Sequence, residues 1–252
     1  MIIIKSQREI EKMRVAGRMT AEIMNHLEKL ICPGRVTKEI DALAEKLIIG
    51  KGGIPAFKGY MGYPASVCVS VNEEVVHGIP GKKVLQDGDI VSLDLGVLYD
   101  GYYGDMARTF PVGKISESAR DLIETAEQAL ERGTLQSKPG GCLGDISNAI
   151  ESFVVEKGYT VVRDYVGHGI GKKMHEEPQI PNYGNPGTGP RLEVGMVLAI
   201  EPMVNMGTYD VQVLQDNWTV ITRDKKISAH FENTVVIGEN GPEVITCQKK
   251  KH

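Results

Sequence analysis

Asp94-Leu95-Gly96-Val97-Leu98-Tyr99-Asp100-Gly101-Tyr102-Tyr103-Gly104-Asp105 is the stretch from which the rest of the chain can be read. Upstream of its turn, Val91, Leu93, Leu95 and Val97 alternate with Ser92, Asp94 and Gly96, the period of two that marks a strand with one buried face. Asp100-Gly101 is a hairpin turn signal, and Tyr102-Tyr103 opens a second β-prone run that continues to Val112. Across a two-residue loop, facing positions have an odd summed numbering, as 94 and 105 do. Asp94 and Asp105 therefore point from one sheet face, either directly opposite (~5 Å) or one diagonal apart (~7–8 Å). A solvated polar face beside a turn is the bland reading of such a pair. Held close, the two carboxylates must instead repel, share a proton or hold cations.

A length of 252 residues allows one large domain or two small ones, with ample core. No Pro/Gly/Ser-rich linker divides the chain, so the expectation is a single domain over residues 1–252. The formal net charge of -4 offers no basis for nucleic-acid binding, and Lys249-Lys250-Lys251 is too short a run to argue otherwise. Cys32, Cys68, Cys142 and Cys247 show no paired spacing, which argues against a disulfide framework or a thiolate zinc site. Reduced cysteines fit a cytoplasmic protein. Met1-Ile2-Ile3-Ile4-Lys5 turns charged too soon for a signal peptide, and no apolar run approaches the ~20 residues of a membrane span.

The chain repeats its plan. Ser6-Gln7-Arg8-Glu9 reads as a capping box before a helix with Ile10, Met13, Ala16 and Gly17 on one face, running to about Ile31 before Pro33-Gly34. Thr37 is expected to cap a second helix, which ends at Gly50-Lys51-Gly52-Gly53. After the hairpin come a helix over roughly 116–133, a break at Pro139-Gly140, and a helix near Asp145 that ends at Lys157-Gly158. Pro33, Gly34, Ile40, Glu45, Lys51 and Gly52 recur as Pro139, Gly140, Ile146, Glu151, Lys157 and Gly158, all at a shift of 106. Gly88 through Asp94 then aligns with Gly195 through Glu201 at a shift of 107. Any one match means little; six at one shift argue for duplication.

Duplication has a chemical consequence. Each half delivers a carboxylate from an equivalent strand, Asp94 and Glu201, and each has a partner on a later strand, Asp105 and Glu232. A pseudo-two-fold axis would bring all of them together. Tyr165-Val166-Gly167-His168-Gly169-Ile170-Gly171 adds a histidine among glycines after a strand-like Tyr159 to Val166, and glycine leaves room for close approach to a bound group. An ordinary loop histidine is the alternative. Clustered carboxylates cannot all stay ionised without cations, and two divalent ions ~3.5–4 Å apart are a common resolution. Carboxylate oxygens with one imidazole suit Mn, Fe or Co, with Zn tolerated.

In order and local context, Asp94, Asp105, His168, Glu201 and Glu232 resemble the metal ligands of type I methionine aminopeptidases. The matching stretches are Asp94-Leu95-Gly96, Gly104-Asp105, Gly167-His168-Gly169-Ile170-Gly171, Ile200-Glu201-Pro202-Met203 and Phe231-Glu232-Asn233-Thr234, and the likeness extends from Ile10 to Gly241. The resemblance implies an α/β (α+β) pita-bread fold, with two pseudo-two-fold-related halves and a central antiparallel sheet covered by helices. It implies that Asp94 chelates one metal, that Asp105 and Glu232 bridge the pair, and that His168 and Glu201 complete the second. A water of lowered pKa would attack the carbonyl after the first residue, with Glu201 as proton shuttle.

His77 and His175, each more often structural when taken singly, match the family's active-site histidines. By that likeness His175 donates to the developing oxyanion and His77 contacts the substrate amide. The stretch from Phe57 to Cys68 resembles the family's loop for the methionine side chain, and Tyr60, Tyr63, Cys68, Trp218 and Phe231 could line an apolar, sulfur-bearing pocket. Phe57 stands where many relatives carry Cys, Met174 where many carry Phe, and Gly96 and Met106 where threonine is frequent.

The implied activity is removal of the initiator methionine from nascent polypeptides whose second residue is small, by a monomer, with the ribosome as the place where such N-termini are met. A prolidase or aminopeptidase P would need an extra N-terminal domain for which no residues remain. A non-catalytic module of the same fold would not need all five ligands and both histidines.

Overall fold

A computed structural model describes residues 1–247, so the Lys249–Lys251 run lies outside the described residues. The largest sheet contains nine strands. They are β1 (Ile54–Pro55), β2 (Cys68–Val71), β3 (Ile90–Tyr99), β4 (Tyr102–Pro111), β5 (Gly167–Gly169), β6 (Glu176–Ile180), β7 (Val197–Ile200), β8 (Glu232–Gly238) and β9 (Gly241–Val244). Their main order is β1-β3-β4-β8-β7-β5-β6, with β2 also on β3 and β9 on β8, and all pairings antiparallel.

The β3–β4 hairpin forms as its sequence directs. Asp100 and Gly101 have φ of 46° and 78°, the left-handed pair that a tight two-residue turn demands. Gly96 faces Asp105 and Asp94 faces Ala107, so the two acids sit one diagonal apart, the second of the two expected arrangements. Centrally, β4 meets β8 through Glu232↔Ala107, and β8 meets β7 through Asn233↔Ile200. One further step along that second ladder sets Glu201 across from Glu232.

Helices α1 (Gln7–Glu28), α2 (Thr37–Gly50), α3 (Glu117–Gln136) and α4 (Leu143–Glu156) cover one side of this sheet. Thr37 and Leu143, like Gly50 and Glu156, differ by 106, so the repeat seen in the sequence is a repeat of helices. From α1 and α2, Ile23, Leu27, Ile40 and Ile48 bury against Leu93, Leu95 and Val97 of β3. From α3 and α4, Leu130, Ile146 and Ile150 bury against Leu198 and Ile200 of β7 and Val235 and Ile237 of β8. Strand alternation then turns Asp94, Glu201 and Glu232 to the opposite face.

Several boundaries differ from expectation. α1 ends at Glu28, short of Ile31, and α3 runs past Gly133 to Gln136. Thr37 is the first residue of α2 rather than its cap; its hydroxyl accepts from Gly81 N–H at 2.9 Å and ties the helix start to that loop. The strand anticipated over 159–166 is confined to Thr160–Val161, and His168 lies in β5, a strand the sequence did not announce. The signal was invisible because Gly167-His168-Gly169 has no apolar alternation. Its glycines serve close packing: a Cβ at Gly167 would lie 2.4 Å from Ala199 O, and one at Gly169 2.2 Å from Glu177 O.

Candidate metal centre and active site

Asp94 and Asp105 from the first half, and His168, Glu201 and Glu232 from the second, line one cavity. Ligand atoms of Asp105, His168 and Glu232 lie within 4.8 Å of one another. Glu201 Oε1 stands 3.6 Å from His168 Nε2. His168 Nδ1 donates to Gly169 O at 2.9 Å, which leaves Nε2 with its lone pair aimed at the acids.

The donor set fits a cation. Asp94 Oδ1, Asp105 Oδ1 and Glu232 Oε1 are buried without a hydrogen-bond donor among the described residues. An orphaned buried carboxylate oxygen is costly, and a divalent ion supplies what the protein withholds. Burial first, and the neighbouring carboxylates second, push the Asp94, Glu201 and Glu232 carboxyls well above their ordinary range, and burial does the same to Asp105. Burial and the neighbouring His175 lower His168 to about 3, keeping it neutral and able to ligate.

This imbalance gives a stability signature. Raised carboxyls bind more protons in the folded than in the unfolded state, so stability falls as pH climbs above the ordinary carboxylate range. The depressed histidines oppose this only below their unfolded value of 6.5, above which they are neutral in both states. Chelated protein should therefore lose Tm as pH rises above about 6.5, and the gap to protein loaded with Mn²⁺ or Co²⁺ should widen as it does. A gap that stays constant in thermal melts would contradict the assignment.

Around the acids the cavity is lined by Phe57, Tyr60, Met61, Tyr63, Cys68, His77, Met174, His175 and Trp218. The Tyr60 hydroxyl lies 2.8 Å from His175 Nδ1, and the His175 ring meets that of His168 edge-on with centroids 4.3 Å apart. His77 has a φ of 59°, a left-handed conformation that costs a non-glycine residue about 1–3 kcal/mol. Its ring stands edge-on to Tyr165 at 5.6 Å and Trp218 at 6.3 Å, and burial lowers its pKa to about 4.

Tyr60, Tyr63, Cys68 and Trp218 thus reach the expected pocket, but Phe231 does not. It packs with Val235 and Ile237 against α3 and α4, because alternation from the inward Glu232 sends it to the other face. Sequence reasoning passed over His230, buried with Nε2 unpartnered and 3.7 Å from Glu201 Oε2. Its spacing of two from Glu232 was the available clue. The departures at Phe57 and Gly96 prove to be one change: a Cβ at Gly96 would lie 2.8 Å from Phe57 Cε1, so the ring fills the space a side chain at 96 would need. Met174 is a wall of the cavity, whereas Met106 turns into the α1–α2 core.

Comparison with known proteins agrees with this geometry. The profile of metallopeptidase family M24 matches residues 11–239, and the chain belongs to that family. Its likeness over the full length is to methionine aminopeptidases. That of Clostridium perfringens is 53% identical over 249 residues, covering 99% of this chain and 100% of the relative. Methionine aminopeptidase 1 of Bacillus subtilis is 54% identical over 98% of this chain and 99% of its own. The crystal structure of methionine aminopeptidase from Thermotoga maritima matches with a TM-score of 0.97 at 48% identity, covering 98% of this chain and 100% of that one. Prolidase from Pyrococcus furiosus matches at 0.80 and 28% identity, and this chain spans 66% of it. The fold is the pita-bread arrangement that the resemblance implied and with which the repeat agrees.

Proposed function

We infer that this protein is a methionine aminopeptidase that hydrolyses the bond after the initiator methionine of nascent polypeptides whose second residue is small. The observation that carries the reading is one cavity with two walls: convergent acids and an imidazole on one side, aromatic rings and sulfur on the other. It acts as one catalytic domain, a cytoplasmic monomer, on N-termini presented at the ribosome. No described helix is long and apolar enough to cross a membrane, and all four cysteines are free.

Asp94, Asp105, His168, Glu201 and Glu232 would hold two divalent ions, which when bound would supply Lewis acidity and a water of lowered pKa. Manganese, iron or cobalt suit this donor set, with zinc tolerated. Tyr60, Tyr63, Cys68, Trp218 and Met174 bind the methionine side chain, since an unbranched thioether packs well against rings and sulfur. Glu201 accepts the proton of the attacking water at a carboxylate oxygen. With the Tyr60 hydroxyl donating to Nδ1, His175 carries its own proton on Nε2 and presents it to the developing oxyanion. His77, kept neutral by burial, hydrogen-bonds the substrate amide.

Metal-reconstituted protein should cleave Met-Ala-Ser and largely spare peptides that begin Met-Lys. Equal turnover of a free Xaa-Pro dipeptide in the same assay would favour a prolidase instead.

A further inference from the structure

One buried ion pair lies outside the cavity and has no part in the chemistry above. Lys5 Nζ reaches Glu176 Oε2 at 2.9 Å, with each side chain only 3% exposed, and joins residues 171 positions apart. Glu176 Oε1 accepts from Lys173 N–H at 3.1 Å, so a single carboxylate ties both ends of a short turn. Between those ends lie Met174 and His175, both of which enter the cavity. Lys5 is itself anchored, its backbone N–H donating to Gly195 O at 2.9 Å.

The surroundings are shaped for this pair. A Cβ at Gly171 would sit 2.7 Å from Lys5 Cε and 2.7 Å from Glu176 Oε1, and a Cβ at Gly195 would sit 2.8 Å from Lys5 O. The last glycine of Gly167-His168-Gly169-Ile170-Gly171 therefore makes space for an ion pair, not for a ligand. Glu176 also opens β6 across from Gly169, the residue after His168. Burying two charges costs about as much desolvation as the pair regains, so net stability does not explain it. What such a pair does supply is direction.

We propose that Lys5 is a positioning residue: through Glu176 it holds the turn 171–176 so that His175 stands where the reaction needs it. This rests on His175 being the oxyanion donor. The test is the variant Lys5→Met/Glu176→Gln, which leaves no buried charge unpaired and retains an acceptor for Lys173 N–H, so thermal unfolding should stay near that of the unaltered protein.

Its kcat on Met-Ala-Ser should fall on the order of 100-fold, with metal content and KM nearly unchanged, as expected when a catalytic group is displaced by about an ångström. Introduced into His175→Ala, the same pair of replacements should cost less than about twofold, because the group it positions is already gone. Full turnover of Lys5→Met/Glu176→Gln, or an undiminished loss in the His175→Ala background, would overturn the proposal. Turnover by the unaltered protein judges the aminopeptidase reading separately.

Discussion

Asp105→Asn is expected to abolish turnover and to leave protein that no longer retains its ions through dialysis. Asp105 sits in β4 with one oxygen buried and unpartnered, within 4.8 Å of the ligand atoms of His168 and Glu232. Asparagine preserves the shape but offers a neutral amide where a cation would need an anionic ligand. Lewis-acid activation contributes several kcal/mol, and each ~1.4 kcal/mol is tenfold, so a loss of about a thousandfold or more follows. The same change removes one of the crowded acids, so metal-free Asp105→Asn should melt above the metal-free parent at neutral pH. Metal analysis after dialysis, peptide turnover and thermal melts form the experiment. A variant that kept both ions and normal turnover would show that Asp105 is no ligand.

His175→Ala should separate chemistry from metal binding. His175 has its Nδ1 beside the Tyr60 hydroxyl, and among the described residues no carboxylate oxygen hydrogen-bonds its ring. Losing a donor to the oxyanion costs ~2.7–4 kcal/mol, a fall in kcat of about 100- to 1000-fold. Because the ring meets that of His168 edge-on at 4.3 Å, metal content must be measured alongside. Near-normal content with depressed kcat is the expected outcome. Unchanged turnover would refute the oxyanion role.

Much of the site was legible in the chain because the relevant information is local. A period of two, an Asp100-Gly101 turn and an odd sum sufficed to put Asp94 and Asp105 on one face, and the register realised the diagonal alternative. The repeat sufficed to expect Glu201 as the counterpart of Asp94, and a later strand with the same odd-sum relation pointed to Glu232. Phe231 was misassigned although the rule that excludes it, alternation from Glu232, was at hand. The strand that carries His168 was not legible, because glycines on both sides hide the close packing against neighbouring carbonyls that shapes it.

The sequence by itself determined the hairpin, the duplicated helix pairs and the set of acids, since periodicity and turn chemistry act over a few residues. The tertiary structure alone decided that Phe57 fills the space of Gly96, that His230 lies beside Glu201, and that Lys5 reaches Glu176. Those contacts join distant segments through shape and desolvation, and no spacing along the chain encodes which buried surfaces will meet.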